Sequence, residues 1–571
     1  MGFFATLTEG GQTWAHRMRM LRQGFKTTAI CALVGAACSI GVSVYHIPVT
    51  RYQALWYSSS VMLSSSSTVR IYAAFWAQVS GQHYFGETAK VSTKRLKSVC
   101  DQEIDTLTHE AIEAATQALT VFLSVFGCVF LFFILRGAKS RRKKHVSGSK
   151  ITAPWIINLK LRLRGLASPM KIGTVHAVKG TENQHFLVTG GTGSGKTTLF
   201  HQMLPQVRQL GQRAIVVDMT GDFVKKYYRP GKDILLNPFD ERSHMWTPWA
   251  ECLENYHFDA LAECFIPQSL SEHENYWRGA ARSVLSAILQ TTKEVQDLDQ
   301  LVRMLLFDSI PQLSSALHST KAASHLDMTS DKTAGSIRSL MVSFLECFEV
   351  LRTAGESFSI REWVQNNDSD SWLFLCAPPA QRASAIPLVS SWLSLGMRSL
   401  LEMEPDIDRR LWFVVDELPS LKKIQDLQMF VTESRKYGGC FLGALQSPAQ
   451  LDILYGKDAA KVIAGNCSTK VAFYEQDPEV AKKISKIFGE NEIREVKEGI
   501  SYGANTVRDG VSLNPISKLK PVVPPGRVQA LDKFEAYVKL PGKTPVSKTK
   551  VKVPEMTDIR NYEALTSNLI S

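Results

Sequence analysis

The ten cysteines include no CxxC pair, and no cluster of histidines stands at metal-ligand spacing. A zinc site, a thioredoxin-like redox centre and a disulfide scaffold are therefore excluded as organising principles. The cysteines are expected to be reduced core thiols, and Cys31, Cys38 and Cys128 fall in apolar runs. No fixed-period repeat and no low-complexity tract breaks the chain, so a solenoid and a fibrous protein are also excluded. Long uncharged stretches are scarce. Residues 27–45 (TTAICALVGAACSIGVSVY) and 115–135 (ATQALTVFLSVFGCVFLFFIL) carry no charge over the roughly 20 residues that cross a bilayer as a helix. Two spans make no substrate pathway, which disfavours a transporter.

The composition is otherwise that of a large globular protein. Apolar residues supply 44% of the 571, enough for several buried cores. A net charge of +12 suits anionic partners such as nucleic acid or a lipid face. Arg17, Arg19, Arg22 and Lys26 flank the first span, and Arg136, Lys139, Arg141, Arg142, Lys143 and Lys144 follow the second. The positive-inside rule places both flanks in the cytoplasm and residues 46–114 outside. The second basic run is read as a stop-transfer and lipid-contacting signal. The acidic stretch DQEIDTLTHEAIEAA is expected to be a helix that runs into the second span. Cys100 would then face an oxidising compartment without a partner.

The segment VTGGTGSGKTTLF holds the chemistry. Gly190, Gly191, Thr192, Gly193, Ser194, Gly195, Lys196, Thr197 and Thr198 form a complete phosphate-binding loop. It follows a short apolar strand, HFLVTG, and opens an amphipathic helix, TTLFHQMLPQVRQL. Glycines let backbone N–H groups close around phosphates at the helix N-terminus. Lys196 adds positive charge for the β- and γ-oxygens of ATP, and the Thr197 hydroxyl reaches Mg²⁺. A second ligand for the metal is expected at the end of another strand. RRLWFVVDELPSL supplies it, with Asp416 for Mg²⁺ and Glu417 as the general base on the attacking water. Gln446, at the end of the next strand (CFLGALQS), is a candidate sensor of the γ-phosphate, as in RecA-like ATPases. Arg435, in TESRKYGG, is a candidate arginine finger reaching a neighbouring subunit's ATP.

Further strands are expected at AIVVDM, WLFLCA and KVAFYE. These apolar runs lack alternation, the pattern of strands buried on both faces, and they interleave with helical segments. The fold class is α/β with a parallel central sheet. The distance from Lys196 to Asp416 is too long for one compact ATPase core. Residues 250–355 have helical periods and few strand signals, so an all-helical domain is expected to be inserted there. The resulting division is a tail at 1–26, spans at 27–45 and 115–135 around a loop domain at 46–114, a nucleotide-binding domain in two parts at 136–249 and 356–545, the helical insert at 250–355 between them, and a tail at 546–571.

Taken with SGKTT, DMTGDFVKKYY, ILLNPFD, ENYWRGAAR, FSIREW, VVDELPSL, ESRKYGGCFLGALQS, YGKDAA, SYGANTVRDGVS and FEAYVKLPG in this order, the chain resembles the type IV coupling proteins. These are the membrane-anchored DNA pumps of bacterial conjugation, and the resemblance is greatest to the TraD branch of F-type plasmids. It implies a hexameric RecA-like P-loop ATPase around a central channel, anchored by two helices in inner-membrane lipid. It further implies that relaxase-bound single-stranded DNA is handed to the proteins of a type IV secretion channel. Close F-type relatives carry a long acidic C-terminal tail for docking the relaxosome, and the sequence reaches only Ser571. The expectation is a shorter homologue, or one that recognises its DNA complex differently. Two other readings share the motifs: an ATPase that moves another load, either exported protein effectors or duplex DNA, and a scaffold whose ATP binding only switches channel assembly.

Overall fold

The structure is a computed structural model. It describes residues 2–552 except 65, 83–85, 141–143, 327–330, 354, 356, 367–368 and 502–509. Arg141, Arg142 and Lys143 of the basic run, most of SYGANTVRDGVS, and the tail from residue 553 lie outside the described residues. By packing, the chain divides into two units, residues 1–144 with 494–516, and residues 145–493 with 517–571.

In the first unit, two long helices, Gly2–His46 and Thr93–Ser140, carry the two apolar runs. Their segments Leu21–His46 and Thr93–Leu135 are long and apolar enough to cross a membrane, with mean hydropathies of 1.9 and 2.7. The acidic stretch and the second apolar run form one continuous helix. Phe25 of one helix meets Phe126 of the other edge-on, with ring centroids 5.3 Å apart. Between them, helix Val49–Met62 packs along the acidic stretch, where Arg51 pairs with Glu103 and Glu110. A small core of Tyr57, Ile71, Phe75, Trp76, Leu96 and Cys100 closes beneath an antiparallel hairpin, Thr68–Tyr72 with Thr88–Ser92. All ten cysteines are free thiols. Seven are buried, but Cys31, Cys38 and Cys128 are exposed on the apolar helices, not core thiols as the sequence reading has them.

The second unit is built on a nine-stranded sheet. We number its strands β1 (Phe186–Thr189), β2 (Arg213–Asp218), β3 (Ile234–Leu236), β4 (Trp372–Cys376), β5 (Leu411–Val415), β6 (Gly439–Leu445), β7 (Thr469–Phe473), β8 (Glu535–Lys539) and β9 (Ser547–Lys550). Their order is β9-β8-β7-β1-β6-β5-β2-β4-β3. Strands β1 to β7 are parallel, and β8 and β9 add an antiparallel edge. Burial on both faces explains the unbroken apolar runs. Successive residues of β2 alternate between two cores. Ile215 and Val217 face one; Ala214 and Val216 face the other. Helix Lys196–Gln209 covers the second face with Leu199, Phe200 and Met203.

The segment expected to be helical is helical. Asn255–Phe265, Glu272–Thr291 and Asp331–Leu345 are its longest helices. It is not a separate body with its own core. Phe258, Phe265, Val284 and Ile288 share one apolar cluster with Ile215, Leu375 and Phe413 of the sheet. At its root, Met245–Trp246 pairs in parallel with Ser357–Phe358. The buried Glu251 carboxylate clamps both sides there. It accepts from Trp246 Nε1 (2.9 Å) and from the backbone N–H groups of Ile360 (2.6 Å) and Arg361 (2.9 Å). A buried carboxylate must be satisfied this fully, because an unpaired one costs several kcal/mol, about 1–3 or more. At the other end of the sheet, β9 begins past residue 545, so the sheet continues into the stretch that the sequence reading leaves as a tail.

Candidate nucleotide-binding site

The C-terminal ends of β1, β5, β6 and β7 converge, because parallel neighbours present the same end to the same edge. After β1 the chain turns through the phosphate loop into helix Lys196–Gln209. Gly190 (φ +150°) and Gly195 (φ +120°) make that turn. A Cβ at Gly190 would stand 2.7 Å from Phe473 Cβ, and one at Gly195 would stand 2.9 Å from the Phe534 ring. Glycine is required at both by conformation and by space. The loop is pinned from outside by Tyr474 O, which accepts from Gly191 N (2.8 Å), and by Phe534 N, which donates to Ser194 O (3.0 Å). Within it, Ser194 Oγ donates to Gly191 O at 2.7 Å. Thr192 and Gly193 are exposed at its tip, and Thr198 continues the helix as a half-buried residue.

Lys196 is buried, and its ammonium donates to Gly190 O (2.7 Å) and Gly191 O (3.0 Å). Burial lowers its pKa, and Glu417, Asp416 and Glu475 oppose that shift. An incoming phosphate would exchange two carbonyl partners for anionic oxygens. Thr197 Oγ1 donates to Asp416 Oδ2 at 2.8 Å, joining two residues 219 positions apart. The other oxygen of Asp416, Oδ1, is buried without a hydrogen-bond partner. Burial first, then the Glu417 and Asp218 charges, push the Asp416 carboxyl up to about 6 against the pull of Thr197 and Lys196.

Glu417 follows at the strand's end, half-buried, and Gln446 Nε2 stands 3.5 Å from its Oε2. The register that pairs β6 with both β1 and β5 brings Gln446 between the phosphate loop and Glu417. Arg435 is elsewhere. It lies in the turn before β6, at the opposite end of the sheet from the phosphate loop, and is exposed. Its carbonyl accepts from Asn183 Nδ2 (3.0 Å), and its guanidinium forms no ion pair with the described residues. A seven-residue strand separates the two ends by about 20 Å.

Sequence reasoning missed two neighbours of the loop. Glu475, at the end of β7, places its carboxylate within 3.8 Å of where a Gly191 Cβ would stand. The acid at the end of KVAFYE was the available signal. Phe534, held at φ +69° before β8, lies against Gly195, and nothing local in FEAYVKLPG announces that contact.

The residues fit a magnesium nucleotide. A buried, unpartnered carboxylate oxygen beside a hydroxyl is a donor set for a hard cation.

The model of the type IV secretion-system coupling protein DNA-binding domain matches residues 169–552. Coupling protein TraD of Escherichia coli (strain K12) is 29% identical over 565 residues, covering 96% of this chain and 77% of its own. The unbound monoclinic form of the bacterial conjugative coupling protein TrwBdeltaN70 is 25% identical, with a TM-score of 0.66 over 74% of this chain and 96% of that one. Plasmid coupling protein TrwB in complex with ADP and Mg²⁺ is 24% identical, with a TM-score of 0.64 over 72% and 95%. With its parallel sheet, its phosphate loop and more than half of its length matched, the chain belongs to the type IV secretion-system coupling protein family.

Proposed function

We propose that the chain is a membrane-anchored ATPase that delivers single-stranded DNA, bound to its relaxase, to a type IV secretion channel during conjugation. The observation that carries the catalytic half of this reading is the Thr197–Asp416 contact beside the orphaned Asp416 oxygen. Backbone N–H groups of residues 191–198 would cradle the phosphates of ATP, with Lys196 supplying charge. Thr197 and Asp416 would hold Mg²⁺, which when bound neutralises charge on the β- and γ-phosphate oxygens. Glu417 takes the proton of the attacking water, and Gln446, beside its carboxylate, holds it in place. The crystallised relative TrwB binds ADP with Mg²⁺, which supports the same ligands here.

Arg435 cannot serve the nucleotide of its own subunit from the far end of the sheet. We assign it to the neighbour's site in a homohexameric ring, where its unpaired guanidinium would meet the γ-phosphate. Helices Leu21–His46 and Thr93–Leu135 would anchor the ring in the inner membrane, with both termini cytoplasmic and residues 46–114 outside. Family membership and the likeness to the conjugative coupling proteins TraD and TrwB support DNA as the load over a protein effector or a purely structural role.

The test is transfer of a plasmid from a deletion strain complemented with the wild-type chain or with Lys196→Ala, alongside ATP hydrolysis with and without single-stranded DNA. DNA-stimulated hydrolysis and transfer, both lost in Lys196→Ala, are expected. Transfer that survives in Lys196→Ala would leave only the scaffold reading.

A further inference from the structure

Three cations that the nucleotide site does not use, two of them in ENYWRGAAR, meet where the helical insert touches the loop after Glu417. Arg278 Nη1 donates to Pro267 O (2.7 Å), and Lys423 Nζ donates to Gln268 O (2.8 Å). The two charges therefore converge on carbonyls of consecutive residues. Arg282, one turn on from Arg278, donates through Nε to Arg278 O (3.3 Å). Like charges at this range repel, and partial burial adds a desolvation cost. Both effects lower the pKa values of Arg282 and Lys423, burial being the larger.

Neighbouring carboxylates neutralise only one of the three: Glu274 pairs with Arg278 (3.1 Å). Glu263, whose charge acts on Arg282, is held by Arg398 (2.9 Å), which also holds Asp426 (2.8 Å). Among the described residues, Arg282 and Lys423 have no ion-pair partner. The cluster opens beside a 360 Å³ cleft whose polar wall carries Lys423, the amides Gln268, Gln425 and Gln428, the hydroxyl of Thr432 and one carboxylate, Glu433. Lys422, the adjoining residue, is exposed and held at φ +56°, ψ −149°, a region nearly reserved for glycine. The loop is thus fixed in a costly conformation that presents two successive lysines.

We propose that Arg282 and Lys423, with Arg278 behind them, grip the phosphodiester backbone of the single-stranded DNA being moved. The assignment rests on the cargo reading above. It adds the residues that hold the cargo and a direct link to the catalytic loop, since Lys423 lies six residues beyond Glu417 and bridges to the insert. The backbone of a single strand supplies the missing anions, one phosphate to each of the two unpaired cations. Ordering it there would act on the segment that carries Glu417, so load and hydrolysis would be coupled through one short loop.

Binding of a fluorescent oligo-dT by the full chain in detergent, titrated at several salt concentrations, tests this. Each phosphate contact on a single strand contributes about −0.7 to the slope of log K against log salt. The double variant Arg282→Gln/Lys423→Gln is expected to bind more weakly, with a slope shallower by about 1.4, and Arg282→Lys/Lys423→Arg to restore the wild-type slope. If the double variant does not fold, Lys423→Gln alone reads the smaller change of about 0.7. Wild-type affinity and slope in the glutamine variants would overturn the site while leaving the cargo reading intact. Failure of the wild-type chain to bind the oligonucleotide would overturn the cargo reading and this site with it.

Discussion

The two ends of strand β6 present opposite chemistry. At one end, Gln446 stands beside Glu417, and the surroundings are dense with interlocked polar groups: Lys196 on its own loop carbonyls, Thr197 on Asp416, Glu475 close by. At the other end, Arg435 projects with no ion-pair partner among the described residues, above a buried neutral imidazole, His185. The first end has carboxylates and a phosphate cradle, and the second has an exposed cation. In the proposed homohexamer one subunit's far end would meet the next subunit's cradle, and hydrolysis would then be a property of the ring.

Mutations at both ends should slow hydrolysis and spare ATP binding. The largest effect is expected at the far end. Arg435→Ala should lower hydrolysis by about 10³ or more while leaving ATP binding in place, measured by turnover and by nucleotide titration. At the near end, Glu417→Gln should also spare ATP binding and slow hydrolysis by about 10² to 10⁴. Retention of most activity in that variant would remove Glu417 as the base.

The pH responses of the two ends also separate. At the far end, burial pushes the His185 imidazole down to about 4, and Arg435 adds to that. Its Nδ1 accepts from Phe441 N at 3.2 Å, so it must stay neutral to hold β6. The unfolded chain takes up this proton near pH 6.5 and the native chain near 4. Stability is therefore full above about 6.5 and falls as pH drops toward 4, by up to about 3 kcal/mol from this residue. Thermal unfolding of wild type against His185→Gln reads the difference as a flatter pH dependence in the variant. At the near end, Asp416 is protonated below about 6. Mg²⁺-dependent nucleotide binding should weaken below that pH, by about tenfold per unit at most, since one proton competes with the metal. Binding that is flat between pH 6 and 5 would argue against Asp416 as the ligand.

How legible each part is in the sequence follows from the same geometry. Strands β2, β4 and β5 read directly because both faces are buried, which removes alternation and leaves plain runs such as LWFVV. The phosphate loop and Asp416 read because their chemistry dictates residue type. Strand β9 does not read. SKTK buries Ser547 and Thr549 and exposes Lys548 and Lys550, so its inward face is polar and invisible to a hydrophobic pattern. Strand β3 is only three residues long. The insert's helices read from their period, but its shared core with the sheet does not, because Phe258 and Ile215 meet only through tertiary packing. Phe534 and Glu475 were missed as neighbours of the cradle for that reason too. The position of Arg435 at the far end follows from β6 being parallel to β1, so it is legible from the expected parallel sheet and the place of TESRKYGG before the strand.

The most direct test of a site shared between subunits is complementation in mixed rings. Lys196→Ala and Arg435→Ala are each expected to be inactive alone. Mixed under conditions where both assemble together, they should recover a measurable fraction of ATP turnover, because some interfaces then join an intact cradle to an intact Arg435. Mixed rings that demonstrably form and recover no turnover, or full turnover by Arg435→Ala alone, would contradict the account.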